Sequence, residues 1–153
     1  MNTHVQSAVK AAAGTLLPHS AIYCLALGYD REEFRLMARK AEDKALPHMA
    51  KEYHQRADFA AALQHAVLWR FVEDDELIVT HWELLLGAVV RREAYELVEA
   101  DRARKLLADN PDDEMYRDIW TWERDRADKN AATLAELKSK LTAVRDTVRA
   151  ATA

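Results

Sequence analysis

The segment from Pro47 to His65, PHMAKEYHQRADFAAALQH, holds three of the six histidines of the chain, with acidic residues between them. Imidazole and carboxylate groups that lie close together can bind a transition metal or transfer a proton. On a helical wheel, however, His48 points away from the other two histidines. His54 and His65 share a direction but lie about 16 Å apart along the axis. One metal ion cannot bind both histidines. The segment therefore predicts one side of an ordinary amphipathic helix in preference to a metal or acid–base site.

One pair in this segment remains a candidate for metal binding. His54 and Asp58 are four positions apart, so their side chains can meet on one helix face. A complete site would need ligands from other helices, and His81 and Glu123 are the candidates. Such a site would suit a divalent metal or iron, and a metal-binding bundle, including an oxidoreductase, is the alternative function. The motifs Glu-x-x-His and His-Glu-x-x-His do not occur in the sequence.

Other catalytic signatures are also missing from the sequence. Its three glycines are too scattered for a phosphate-binding loop, and Gly-x-Ser-x-Gly does not occur. Cys24 is the only cysteine, so no disulfide can form within the chain. Its apolar setting, AIYCLAL, should raise the pKa of the thiol and make it unreactive. The sequence therefore favours a non-enzymatic protein without a cofactor, in a reducing, cytoplasmic setting.

The composition predicts an all-α fold in a single domain that spans residues 1–153. Half of the residues are hydrophobic, many of them alanine, and only three glycines and three prolines occur. Strong helix formers dominate the rest. The formal charge of −4 argues against nucleic-acid binding, which depends on basic side chains that neutralise phosphates. No apolar run approaches the ~20 residues that span a bilayer, and the first residues do not resemble a secretory signal, so no membrane association is expected.

Turn and capping residues divide this domain into helices. Gly28 predicts a helix end, and Asp30 predicts an N-cap for the next helix. Pro47 predicts a kink or break, and DNPDDE at residues 109–114 predicts a turn. The expected elements are a broken N-terminal segment at 3–27 and four main helices at 31–46, 48–72, 76–108 and 112–150. Short connections predict a mostly antiparallel bundle with a long, coiled-coil-like C-terminal helix.

The last helix carries a seam whose positions are spaced alternately by four and three residues from Tyr116 to Ala151. Asn130 lies in this seam, where a buried amide can fix the register of two helices. Gln64, near the centre of another apolar face, should likewise have a partner across the bundle. The seam has basic flanks, and the preceding helix carries acids that are expected to form a solvated face, at Glu93, Glu96 and Glu99. Two antiparallel helices of one bundle, or an oligomerisation arm, would explain the pattern.

Together these features predict a helical protein–protein interaction or adaptor protein that self-associates through its C-terminal helix. Trp122 leaves the core face of that helix, and an exposed tryptophan among charges is the type of anchor that interfaces use, although its ring could instead pack under a neighbouring helix. The expected partner is another protein or a second copy of the chain. The predicted interface residues are Trp122, Asn130, Leu134, Leu137, Leu141, Val144 and Val148.

Overall fold

A computed structural model describes residues 2–13, 20–69 and 74–153. In this part of the chain the structure is 93% helical and contains no strand, which confirms the all-α prediction. None of the described helices has the length and apolar character needed to cross a membrane. The five helices are α1 (Thr3–Ala13), α2 (Ser20–Asp43), α3 (Pro47–Leu68), α4 (Asp74–Asp109) and α5 (Glu114–Thr152).

Two helical hairpins organise the fold. α2 packs along α3, and α4 packs along α5. The α4–α5 pair is antiparallel, because Glu93 pairs with Lys138 while Arg104, further along α4, pairs with Asp128, which comes earlier in α5. α2 joins the hairpins by packing on α4, and α1 packs on α5 and, less extensively, on α4. This arrangement is the predicted helical bundle. The seam of the last helix packs against other helices of the same chain.

The apolar core lies where these helices meet. Val9 of α1, Leu27 of α2 and Val67 of α3 belong to it. The members from α5 all fall in its second half, at Leu134, Leu137, Leu141 and Val144. α1 has eleven residues and is about 16 Å long, whereas α5 has 39 residues and is about 58 Å long. Because α1 packs with this half of α5, it leaves the first half without such cover.

The predicted helix end at Gly28 is wrong, because α2 continues through it. A Cβ atom at this position would lie 2.6 Å from Nε2 of Gln64. The Gln64 amide donates a hydrogen bond to the Cys24 carbonyl oxygen at 2.9 Å, and its Oε1 accepts one from Arg31 at 3.2 Å. The glycine thus makes room for a bond between α2 and α3, and the expected partner of Gln64 is confirmed.

The predicted N-cap at Asp30 is also wrong, since this residue lies inside α2 and is fully buried. Its two carboxylate oxygens each accept a hydrogen bond at 2.7 Å from Arg91 of α4. The guanidinium group also lies 5.2 Å from the centre of the Phe34 ring. The hydrogen bond that Arg91 donates to Asp30 is the main cause that raises the pKa of Arg91. The ion pair between Asp30 and Arg91 therefore links α2 to α4.

The break before Pro47 is confirmed, with the proline in the first turn of α3. α2 ends in a Schellman motif, in which the Leu46 amide donates to the Ala41 carbonyl and the Ala45 amide donates to the Glu42 carbonyl, both at 2.9 Å. Ala45 has a φ of 55°, which is the left-handed conformation that this motif requires.

The two long helices begin and end close to their predicted positions. The expected end of the third helix at residue 72 lies outside the described residues, and α4 begins at Asp74. α4 has one non-helical residue, His81, with φ −127° and ψ 22°. Asp113 caps α5 by accepting a hydrogen bond from the Tyr116 amide at 3.0 Å.

Candidate functional site

The structure does not form the predicted contact between His54 and Asp58. Nε2 of His54 instead lies 2.7 Å from Oε1 of Glu42, at the end of α2. About half of each of these two side chains is exposed. Asp58 is exposed as well. An exposed pair of one imidazole and one carboxylate lacks the further ligands that a metal site needs.

The other two metal candidates lie elsewhere. The His81 ring packs edge-on to Phe59 at a centroid distance of 5.6 Å. Glu123 pairs within α5 with Arg126, whose Nη2 lies 2.7 Å from its carboxylate. Within residues 2–13, 20–69 and 74–153, no three His, Cys, Asp or Glu side chains converge as metal ligands would. The four candidates therefore do not meet in one place.

Most of the predicted interface residues are buried inside the chain. Leu134, Leu137, Leu141 and Val144 are at most 1% exposed, and Val148 packs against the same core. Their apolar seam is therefore already filled by other helices of the same molecule. The antiparallel interpretation of the seam explains these residues, and their side chains are not available on the surface of this fold.

Asn130 takes part in a buried polar contact between α4 and α5. Its Nδ2 donates to Oε1 of Glu96 at 3.3 Å, and Arg92 donates to the same oxygen at 2.6 Å. Glu96 is fully buried, so the prediction of a solvated acidic face is wrong at this residue. Sequence spacing does not separate Glu96 from the other acids around it. A shift of α4 against α5 would separate this carboxylate from Asn130, whereas Arg92, which lies on α4 itself, would move with it, so the Asn130 contact favours the observed register of the hairpin.

An exposed apolar surface lies at the beginning of α5. Met115, Ile119 and Trp122 are 72%, 50% and 62% exposed. They follow one another at intervals of four and three residues, so they share one helix face. The Arg126 guanidinium lies 5.6 Å from the centre of the Trp122 ring. Trp122 leaves the core face, as its wheel position predicts, and the alternative in which its ring packs under a neighbouring helix is wrong. We call these three residues the distal patch.

The distal patch is exposed because the α4–α5 hairpin extends beyond the part of α5 on which α1 packs. We define the distal hairpin as residues 97–109 of α4 and 114–126 of α5. In these two segments the fully buried side chains are Ala100 and Ala103. Ala127, which follows directly, is buried too. The larger apolar side chains of these segments are buried only in part, as at Leu106, Leu107 and Trp120, or are exposed, as at Leu97 and Val98, which are 49% and 63% exposed.

A second exposed apolar surface lies where α2 meets α3, and sequence spacing gave no signal for it. This groove has a volume of about 180 Å³. We call it the methionine groove, and its lining includes Met37, Lys40, Lys44, Leu46, Met49 and Tyr53. Met37 also lines a cleft of about 400 Å³ between α2 and α4, together with Tyr95 and Val98. Its residues come from two helices, so only the packing of those helices brings them together.

Comparison of the chain with protein-family models, with curated proteins and with solved structures found no match in any of the three.

Proposed function

We propose that this protein is a non-enzymatic helical interaction protein that self-associates through the distal patch. The observation that carries the proposal is the exposure of Met115, Ile119 and Trp122 on one face of α5. Large neighbouring apolar side chains that remain on the surface are a common mark of an interaction site. The interacting part of the C-terminal helix is therefore its beginning, while its second half belongs to the core.

Trp122 of the distal patch and the adjoining Arg126 belong to the residue types that often contribute most to interfaces. Tryptophan and arginine are enriched among residues whose truncation weakens binding, and Trp122 stacks with Arg126. Complete burial of a large aliphatic side chain contributes about 1.5–3 kcal/mol. A two-fold arrangement would bury each patch residue twice, once in each copy. The patch can therefore supply much of the free energy that association needs.

Charges around the distal patch favour a second copy as the occupant. Asp112, Asp113 and Glu114 lie immediately before the patch, whereas its other end, at residues 123–126, holds two acids and two bases that pair with each other. An antiparallel copy of the same segment would place each acidic end against the end of balanced charge, because a two-fold interface pairs each residue with its counterpart in reverse order. A parallel copy would place like charges together.

Substitution of Ile119 by aspartate tests the proposal. Half of this side chain is exposed in the single chain, so Ile119→Asp should fold, but it places a charge in the centre of the interface. Light scattering during size-exclusion chromatography should give the unmodified protein a mass of twice 17.5 kDa and the variant a mass of 17.5 kDa. Val90→Asp is the matched control, since Val90 is 43% exposed and precedes the distal hairpin, and it should keep the larger mass.

A mass of 17.5 kDa for the unmodified protein at high concentration would contradict the proposal. So would a larger mass that Ile119→Asp leaves unchanged, because association would then use a different surface. Circular dichroism serves as the folding control. Each variant should give the same helical signal as the unmodified protein, which shows that the substitution has not unfolded the chain.

A further inference from the structure

We infer that the acidic end of the distal hairpin of one copy docks in the methionine groove of the second copy. This inference rests on the proposed self-association and gives it an orientation and a second contact. Each copy would offer an acidic tip and a basic groove, so one two-fold pair would contain the contact twice.

The acidic tip is the connection between α4 and α5. Four carboxylates lie within residues 109–114, and no basic residue occurs there. Asp113 uses its side chain to cap α5, whereas Asp109 and Asp112 have no hydrogen-bond or ion-pair partner in the described part of the chain. Met115, which is 72% exposed, follows directly. The tip thus combines unpaired negative charge with an apolar side chain.

The methionine groove has the complementary chemistry. Met37 and Met49 line it together with Lys40 and Lys44. Neither ammonium group has a carboxylate partner among the residues that the structure describes. Two acids lie close by in sequence, Glu42, which pairs with His54, and the exposed Asp43. Methionine side chains adapt their shape to an apolar partner, so Met115 of the second copy suits this groove.

The lengths of the helices allow both contacts to form in one pair. Met37 and Val98 line the same cleft, so this part of α2 lies beside Val98 of α4. α4 continues for eleven residues beyond Val98, which is about 16 Å. If the distal hairpins of two copies overlap antiparallel over this length, each tip reaches the region of the partner that contains Met37. The patch-to-patch contact and the tip-to-groove contact are therefore compatible in their distances along the helix axis.

Exchange of the charges tests this inference. Lys40→Glu with Lys44→Glu should weaken self-association roughly tenfold or more, because each copy would then oppose carboxylates with carboxylates at two places. Asp109→Lys with Asp112→Lys should weaken it to a similar extent and leaves the Asp113 cap intact. An equimolar mixture of the two variants should associate with an affinity close to that of the unmodified protein, since both contacts are then complementary. Sedimentation velocity over a concentration series measures all three affinities.

A control variant separates a local effect from that of net charge. Glu76→Lys with Glu83→Lys changes the charge as much as the tip variant does, but the residues are exposed in the first part of α4. This variant should associate like the unmodified protein. Equal affinities for the separate and mixed charge variants would overturn the inference. If Ile119→Asp still abolished association in that case, the proposed function would stand without the tip-to-groove contact. A monomeric unmodified protein would remove both.

Discussion

Gln64 joins α3 to α2 through both ends of its amide. The NH₂ group donates to a backbone carbonyl, that of Cys24, and the oxygen accepts from the side chain of Arg31. Gly28 permits this contact because it has no side chain to occupy the space of the amide. A glycine inside a helix lowers helix stability by about 1 kcal/mol relative to alanine. The contact with Gln64 offsets that cost.

Gly28→Ala should therefore have opposite effects in two backgrounds. In the unmodified chain the new methyl group displaces the Gln64 amide, and the free energy of unfolding should fall by about 1 kcal/mol, because the lost hydrogen bonds outweigh the gain in helix propensity. In a Gln64→Ala background the same substitution should raise the free energy of unfolding by about 1 kcal/mol. Urea unfolding of the four proteins measures both effects, and equal effects in the two backgrounds would contradict this account.

The same region shows where a local pattern fails at the scale of single residues. Asp30, with Glu33 three positions later, has the spacing of a capping box, and Gly28 precedes it as a helix end would. These patterns describe only neighbours along the chain. The contact that decides the structure joins Asp30 to Arg91, 61 positions away, and the contact of Gly28 is with Gln64. Burial by a distant helix thus overrides the local preference.

At the scale of the elements, the end of α2 carries a conformational cost. Its Schellman motif places Ala45 in the left-handed conformation, where glycine is the usual residue. A residue with a Cβ atom pays roughly 1–2 kcal/mol in this conformation. The motif forms nevertheless, because Pro47 cannot continue α2 and the next helix must begin.

Ala45→Gly should raise the free energy of unfolding by about 1 kcal/mol, since it removes the steric cost but also increases the freedom of the unfolded chain. The same substitution at Ala62, which is exposed inside α3, should lower it by about 1 kcal/mol. Chemical unfolding of the two variants should thus give shifts of opposite sign. A loss of stability in both would indicate that Ala45 is not strained.

Most elements could be predicted from the sequence because their signals are local. Pro47 marks the start of α3, and the turn at residues 109–114 separates the two long helices within two or three residues of the observed ends. The seam of α5 correctly indicated an antiparallel neighbour of complementary charge, as the pair of Glu93 and Lys138 shows. The burial of Glu96 was missed, because a carboxylate is buried only where the packing supplies partners.

At the scale of the whole molecule, the two hairpins differ in length. α2 and α3 have 24 and 22 residues, whereas α4 and α5 have 36 and 39. The excess length of the second hairpin is the distal hairpin, with its apolar patch. The candidate interface could be predicted only in part. The helical wheel predicted that Trp122 leaves the core face. The seam residues have the same apolar character as an interface, and only the fold shows that they are buried against helices of the same chain.

Self-association should make the melting temperature depend on protein concentration. A partner that binds only the folded chain stabilises it on the order of 2–3 kcal/mol when its concentration is roughly one hundred times the dissociation constant. The melting temperature of the unmodified protein should therefore rise with concentration, and that of Ile119→Asp should stay constant. Differential scanning fluorimetry on dilution series measures both. A constant melting temperature for the unmodified protein above its dissociation constant would contradict the expected linkage.

The alanine interior of the distal hairpin has a consequence for how the chain responds to its own abundance. Ala100, Ala103 and Ala127 bury little apolar area, so apolar burial contributes less to this end of the hairpin than to the core. In a pair, the side chains of the distal patch would add the burial that the interior lacks. The conformational order of this hairpin would then increase with protein concentration. If the proposed association forms, this end of the fold would thus present a different surface at high protein concentration than at low concentration.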